Sequence, residues 1–257
     1  VMGTVDKEYL DSIAQSKYKG KVQTGELAII TTFSDIAFDH KGNMFISDRL
    51  NHQIRKVSAQ GKITTIAGTG ESAYYGDGGP AREASFRDPS SLTTDKEGNL
   101  YIGDGANNMV RKIDTKGVVS TVAGNGKHEN SGDGGPALKA SIKNIDYLAI
   151  SPAGELHIVG MNSHIVRKVT KDGNIVAVAG KGYQGFFGDG GPATKAMLKS
   201  PTAIAFDQAG NLYISDMGNS RIRKVDTNGI ITTFAGTGTF GWAQDGETVE
   251  IYFQNFP

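Results

Sequence analysis

Apolar and polar residues alternate along most of this chain in short bursts separated by turn residues, a period of two rather than of three and a half. The stretch from Ala203 shows the pattern most clearly. Ala203-Ile204-Ala205-Phe206 is an apolar run, and Gln208-Ala209-Gly210 supplies a turn. Asn211 to Asp216 reads as a second strand, Met217 to Ser220 as a second turn, and Arg221-Ile222-Arg223-Lys224-Val225 as a third strand that alternates apolar with basic residues. Asp226-Thr227-Asn228-Gly229 turns once more into Ile230-Ile231-Thr232-Thr233-Phe234-Ala235. The unit is an antiparallel meander of four strands.

The pattern returns without slippage: Asp48, Asp104, Gly160 and Asp216 are evenly spaced, as are Gly68, Gly124, Gly180 and Gly236. The spacing is a 56-residue repeat, one unit each at 34–89, 90–145, 146–201 and 202–257. One four-stranded sheet cannot bury both of its faces, so successive sheets must stack. Stacking around an axis gives an all-β fold, a β-propeller, of which the chain supplies four full blades and part of a fifth or sixth. Residues 1–33 are read as closing strands of a preceding blade, Val1 to Gln15, followed by a loop; the competing reading makes Asp6 to Tyr18 a short helix capped by Asp6. At the other end, Gln244 to Pro257 overlays the inter-blade loop Gly76 to Pro89. The opening strands of the extra blade are therefore missing. An uncovered blade face of about 600–1,500 Å², half apolar, forgoes on the order of 10 kcal/mol gross, against a total domain stability of about 5–15 kcal/mol. The expectation is a fragment of a longer five- or six-bladed chain, a gap closed by strands from a neighbouring subunit, or closure by four blades alone.

The motif Asp-x-x-Gly-Asn-Leu-Tyr-Ile-Ser-Asp, followed by Asn, by Ile-Arg-Lys-Val and by Gly-x-Ile-Thr-Thr-x-Ala-Gly, resembles the NHL repeat from Ser34 to Gly236. The resemblance implies a propeller, often of six blades. NHL propellers include ligand-binding and RNA-binding modules and receptor ectodomains, and related propellers include enzymes, so the fold does not choose the function.

Composition narrows the partners. Gly accounts for 35 of 257 residues, as many tight turns demand, and 27 basic side chains balance 27 acidic ones. A neutral chain has no global attraction for nucleic acid or an anionic membrane. No apolar run is long enough to span a bilayer as a helix. Without cysteine there is neither disulfide nor thiolate chemistry. The sequence opens at Val1 with no signal-like segment, as expected of a mature or truncated chain. An extracellular or secreted location is expected.

Three loops contain Gly-Asp-Gly-Gly-Pro-Ala, at Gly76–Ala81, Gly132–Ala137 and Gly188–Ala193. Each supplies one carboxylate where calcium takes six to eight oxygens, and no Lys-Ser/Thr follows as in a phosphate loop. Asp77, Asp133 and Asp189 are accordingly read as turn caps, as are the hairpin residues Asp39, Asp95, Asp207, Asp48, Asp104 and Asp216. The stripe Arg55-Lys56, Arg111-Lys112, Arg167-Lys168 and Arg223-Lys224 is read as paired and solvated rather than as an RNA track.

Function is sought where the copies differ. At the start of the innermost strands the copies read Ser34-Asp35, Ser90-Ser91, Asp146-Tyr147 and Thr202-Ala203; by resemblance to lactonase and amidating-lyase propellers, Asp35 and Asp146 are the candidate ligands for calcium or another divalent cation at the axis. In the third copy His157 and His164 flank a hairpin whose Asp has become Gly160, read as drift in the absence of a third ligand; His52 at the equivalent tip of the first copy is expected to be exposed. The long loops vary in aromatic residues: Tyr74, Tyr75, Tyr183, Phe186, Phe187, Phe240 and Trp242. They either form a recognition face or plug gaps between blades. The resulting expectation is a non-catalytic scaffold that binds protein or glycan, or its own subunits by strand exchange. Neither catalytic residues nor a nucleic-acid partner are expected, and no cofactor is needed. The alternative is a hydrolase or lyase using the axial cation.

Overall fold

The computed structural model describes residues 33–239, and the closing-strand and helix readings of residues 1–32, together with Phe240 and Trp242, lie outside them. Blade one is β1 (Phe33–Phe38), β2 (Met44–Asp48), β3 (Gln53–Val57) and β4 (Ile63–Ala67). Blade two is β5 (Pro89–Thr94), β6 (Leu100–Asp104), β7 (Met109–Ile113) and β8 (Val119–Ala123). Blade three is β9 (Tyr147–Ile150), β10 (Leu156–Gly160), β11 (Ile165–Val169) and β12 (Ile175–Ala179). After the short β13 (Gly191–Pro192), blade four is β14 (Pro201–Phe206), β15 (Leu212–Asp216), β16 (Arg221–Val225) and β17 (Ile230–Ala235). Every pairing is antiparallel and in chain order, with β13 added at the outer edge of blade four beside β17.

The hairpins form where the sequence puts them. Asp39, Asp95 and Asp207 each accept the backbone N–H of the residue four further on (Asn43, Asn99, Asn211) and the side-chain amide of the same Asn. The second hairpin is a 3-10 turn closed by a left-handed residue, His52, Asn108, His164 or Ser220. His52 is half-buried rather than exposed, because its Nδ1 accepts the N–H of Asp88 from the loop that leads into blade two.

The core consists of layers between blades. Phe45 and Ile54 of blade one meet Phe86, Leu100 and Ile102, and the same layering recurs between blades two and three and between three and four. Ile54, Val110 and Val166 face the next blade and are fully buried, whereas Ile222 at the same position of blade four is 36% exposed. Ile36 and Phe38 on β1 are also exposed. Among the described residues the ring is therefore not closed.

Each inter-blade loop clasps the following blade. Gly78 N–H donates to Val119 O and Ala81 N–H to Gly117 O, so the loop leaving blade one runs along β8; the later loops repeat this on β12 and β17. The edge strand is covered, which removes its free donors and acceptors from aggregation. Gly76 opens this clasp with φ +96°, and a Cβ there would lie 2.6 Å from Ala84 Cα, so only glycine fits.

Candidate functional site

The clasps bring together charges far apart in sequence. Each third strand shifts register just before its arginine, between Val110 and Arg111, Val166 and Arg167, and Ile222 and Arg223. A bulge re-aims the side chain that follows, and these guanidinium groups point into the protein: Arg111 and Arg223 are 0% exposed. Arg111 donates from Nε and Nη2 to Asp77 of the preceding loop (3.1 and 2.8 Å) and from Nη1 to Asp104 (3.3 Å). Arg223 does the same with Asp189 (3.1 and 2.6 Å) and Asp216 (3.2 Å). In blade three Gly160 stands where the hairpin Asp would be, and Arg167 keeps only Asp133 (2.8 Å) as a charged partner.

The loop aspartates are thus not turn caps, as the sequence suggested, but counter-ions for an arginine 34 residues further on. The hairpin aspartates Asp104 and Asp216 are buried partners of the same arginines and accept the N–H groups of Arg87 and Lys199. Burial pushes the Asp104 carboxyl up to about 6 against its bonds from Asn107, Arg87 and Arg111. Asp77 is pushed up by partial burial, but Thr121, Arg111 and Tyr74 outweigh that and hold it below the usual carboxylate range.

This geometry divides the aromatic residues into two kinds. Tyr74 lies under the Arg111 guanidinium at 4.8 Å and donates its hydroxyl to Asp77, and Phe186 lies 3.9 Å from Arg221 and 4.9 Å from Arg223. These rings roof the buried charges. Their neighbours Tyr75 and Phe187 are 70% and 66% exposed and are held by their backbones, both through bridges to the far side of their loops and Tyr75 also through its carbonyl, which accepts from Arg111 Nη2 at 3.2 Å. Tyr183 is half-exposed beneath Lys181. Tyr74→Ala is expected to cost about 1–2 kcal/mol of stability, the sum of a cation–π contact and a hydrogen bond, whereas Tyr75→Ala should stay within about 0.5 kcal/mol. Urea unfolding of the two variants makes the comparison; equal losses would contradict the division.

At the axis the innermost strands line an open cleft of about 530 Å³, with Asp35, Phe38, Leu92, Tyr147, Ile150 and Phe206 on its walls. Asp35 Oδ1 accepts the N–H of Ile36, while Oδ2 accepts the Ser91 hydroxyl (2.7 Å) and Leu92 N–H (2.9 Å). Ser91 Oγ in turn accepts the N–H of Leu148 at 3.0 Å, so one polar chain ties blades one, two and three. Asp146 instead accepts the N–H of Met161 at 2.6 Å, on the hairpin that lacks its own Asp. The structure thus gives each of these carboxylates a backbone partner in a different place. Among the described residues no three His, Cys, Asp or Glu side chains converge as a metal site would require.

Blade three departs from the others at linked positions. In blades two and four Asp, Asn and Tyr form one cluster, with Tyr101 donating to Asp95 and Tyr213 to Asp207. Blade three has Ser151, Glu155 and His157 in those places. Ser151 Oγ takes over the turn by accepting Glu155 N–H (3.2 Å), and Glu155 pairs with Lys168 at 2.8 Å. His157 is 4% exposed, meets Phe206 of blade four edge-on at 4.8 Å and bonds through Nδ1 to Glu155 O at 3.1 Å. Burial lowers its pKa to about 4, and since Nδ1 donates to a carbonyl, Nε2 is left with a lone pair. Beside it a cleft of about 440 Å³ opens between blades three and four. His164 belongs to a different contact, its Nδ1 accepting Ser200 N–H.

The family profile of the teneurin NHL domain matches residues 69–182 and 182–245. Teneurin-m of Drosophila melanogaster is 31% identical over 222 residues, an alignment that takes in 76% of this chain and 8% of that protein. Teneurin-1 of Homo sapiens is 33% identical over 218 residues, 77% of this chain and 7% of that protein. The chain spans less than a tenth of these relatives. Among solved structures, virginiamycin B lyase from Staphylococcus aureus superposes with a TM-score of 0.54 at 18% identity, over 80% of this chain and 56% of the lyase. An auxiliary nutrient binding protein from Bacteroides ovatus gives 0.57 at 16% identity, over 80% and 47%. At such identities the likeness is one of fold alone.

Proposed function

The chain belongs to the teneurin NHL-domain family, and from that premise we propose that it is a non-catalytic interaction module, extracellular or secreted, that binds a protein partner through the loop face carrying Tyr75 and Phe187. The observation that carries this reading is the difference between neighbouring aromatic residues. Tyr74 and Phe186 are used up in roofing the arginines, while Tyr75 and Phe187 stand exposed at equivalent places in alternate repeats. Large rings presented by loops that are clasped at both ends lose little entropy on binding, which is the condition for an energetic hot spot. No helix among the described residues is long and apolar enough to cross a membrane.

The test is capture of surface proteins on the immobilised chain, compared with the Tyr75→Ser, Phe187→Ser double variant. The expected result is a partner whose affinity falls tenfold or more in the double variant while the unfolding midpoint is unchanged. Binding to the same partner at full strength would overturn the reading, as would retention of defined oligosaccharides in place of protein.

A further inference from the structure

We propose that the cleft between blades three and four is a binding site for a small uncharged phenol, whose ring lies against Phe206 and whose hydroxyl donates to Nε2 of His157. The site is separate from the aromatic loop face and does not depend on that reading.

Four observations converge on this chemistry. First, the cleft has the size of a small-molecule site, about 440 Å³, and its inner wall is apolar, with Val178, Phe206, Leu212 and Val225 beside the imidazole. Second, its charged rim is already satisfied. Glu155 holds Lys168 at 2.8 Å, and Asp226 accepts the N–H groups of Asn228 and Ile230 within its own turn. Third, His157 is a buried polar group with unused capacity. Its Nδ1 is committed to Glu155 O, and no protein donor reaches Nε2 among the described residues. The imidazole itself forms part of the cleft wall. An unprotonated Nε2 on the wall of an apolar cleft asks for a donor.

The fourth observation fixes the ligand class. In blades two and four the chain supplies a phenol at this position, and its hydroxyl donates to the turn aspartate at 3.1 Å (Tyr101) and 3.2 Å (Tyr213). Blade three has lost the phenol and the aspartate together and has gained an acceptor in the imidazole. A lysine also packs over the ring in those blades, Lys112 on Tyr101 at 5.5 Å and Lys224 on Tyr213 at 5.8 Å, whereas Lys168 is drawn aside to Glu155. The blade thus keeps a ring at this position, the imidazole, but has lost the phenolic hydroxyl and the lysine cover, and a phenol from solution brings such a hydroxyl back beside it.

The experiment uses the whole chain and p-cresol, with toluene as the same shape lacking the donor. Long-range nitrogen–proton NMR of the imidazoles reads His157 directly. Saturable movement of the Nε2 resonance by p-cresol is expected, with toluene binding about fivefold more weakly, the value of one hydrogen bond. His157→Phe keeps the apolar packing and should bring p-cresol down to the toluene level. If the two ligands bind alike to the wild-type protein, or if p-cresol leaves Nε2 unmoved up to its solubility limit, the proposal fails. Neither of those readouts needs a variant. If His157→Phe binds p-cresol undiminished, the ligand does not use the imidazole and the proposal fails equally.

Discussion

Arg111→Ala and Arg223→Ala are each expected to cost about 3–5 kcal/mol, a large share of a domain stability of the order of 5–15 kcal/mol. Each guanidinium sits where three elements meet: the loop of the preceding blade, the second hairpin of its own blade and its own third strand. Removing it leaves Asp104 or Asp216, both 0% exposed, as an uncompensated buried charge, and frees Asp77 or Asp189 from the clasp. Arg167→Ala should be milder, about 1–2 kcal/mol, because Gly160 contributes no carboxylate, the single charged partner Asp133 is 39% exposed and can be hydrated, and the other partners are the carbonyls of Ser131 and Ser141. The double replacement Asp104→Leu, Arg111→Met removes both buried charges together and should recover most of the loss. Urea midpoints of the four proteins make the comparison. Equal losses for Arg111 and Arg167 would mean that the inward arginines are held by packing of their stems rather than by charge.

The repeat and its hairpins were legible because they are local. An Asp that accepts the N–H four residues on needs nothing beyond its own turn, so Asp39, Asp95 and Asp207 do in the structure what the sequence implies. Asp77, Asp133 and Asp189 look the same in sequence, but their partners lie 34 residues away and reach them through a register shift that strict alternation does not contain. The aromatic pairs were visible as a set. Which ring covers an arginine and which faces solvent depends on that same inward turn, so the sequence left both readings open. Blade three offers the sharpest contrast. His157 read as drift when taken alone. The missed signal was that positions 151, 155 and 157 change together, and in blades two and four the residues at those positions touch one another. Correlated departure within one copy of a repeat points to a rebuilt contact, and the copies themselves serve as the comparison.

His157 also makes the fold sensitive to mild acid in a predictable direction. Its pKa is about 4 in the folded protein, with burial the largest cause, against an ordinary value of 6.5. The unfolded chain therefore takes up the proton first, so the neutral imidazole's contribution is complete above pH 6.5 and is lost as the pH falls toward 4. With about 1.36 kcal/mol for each unit of displacement, the loss is about 2 kcal/mol at pH 5, about 3 kcal/mol at pH 4, and levels off a little above that at lower pH. Other groups titrate nearby. Asp104, raised to about 6, works in the opposite sense and gains stability as it takes up its proton, while Asp39, Asp95 and Asp207, held low by their turns, lose theirs at more acid pH. The His157 share is isolated by difference. Unfolding free energies of the wild type and of His157→Phe, measured at pH 7.5 and pH 5, should show the wild type losing about 2 kcal/mol more than the variant over that interval. Parallel pH profiles would show that the imidazole takes up its proton as readily in the folded state as in the unfolded chain, near pH 6.5. The Nε2 lone pair on which the phenol site depends would then be lost as the pH falls through 6.5 rather than toward 4, so this stability measurement and the ligand titration test the same proton from opposite sides.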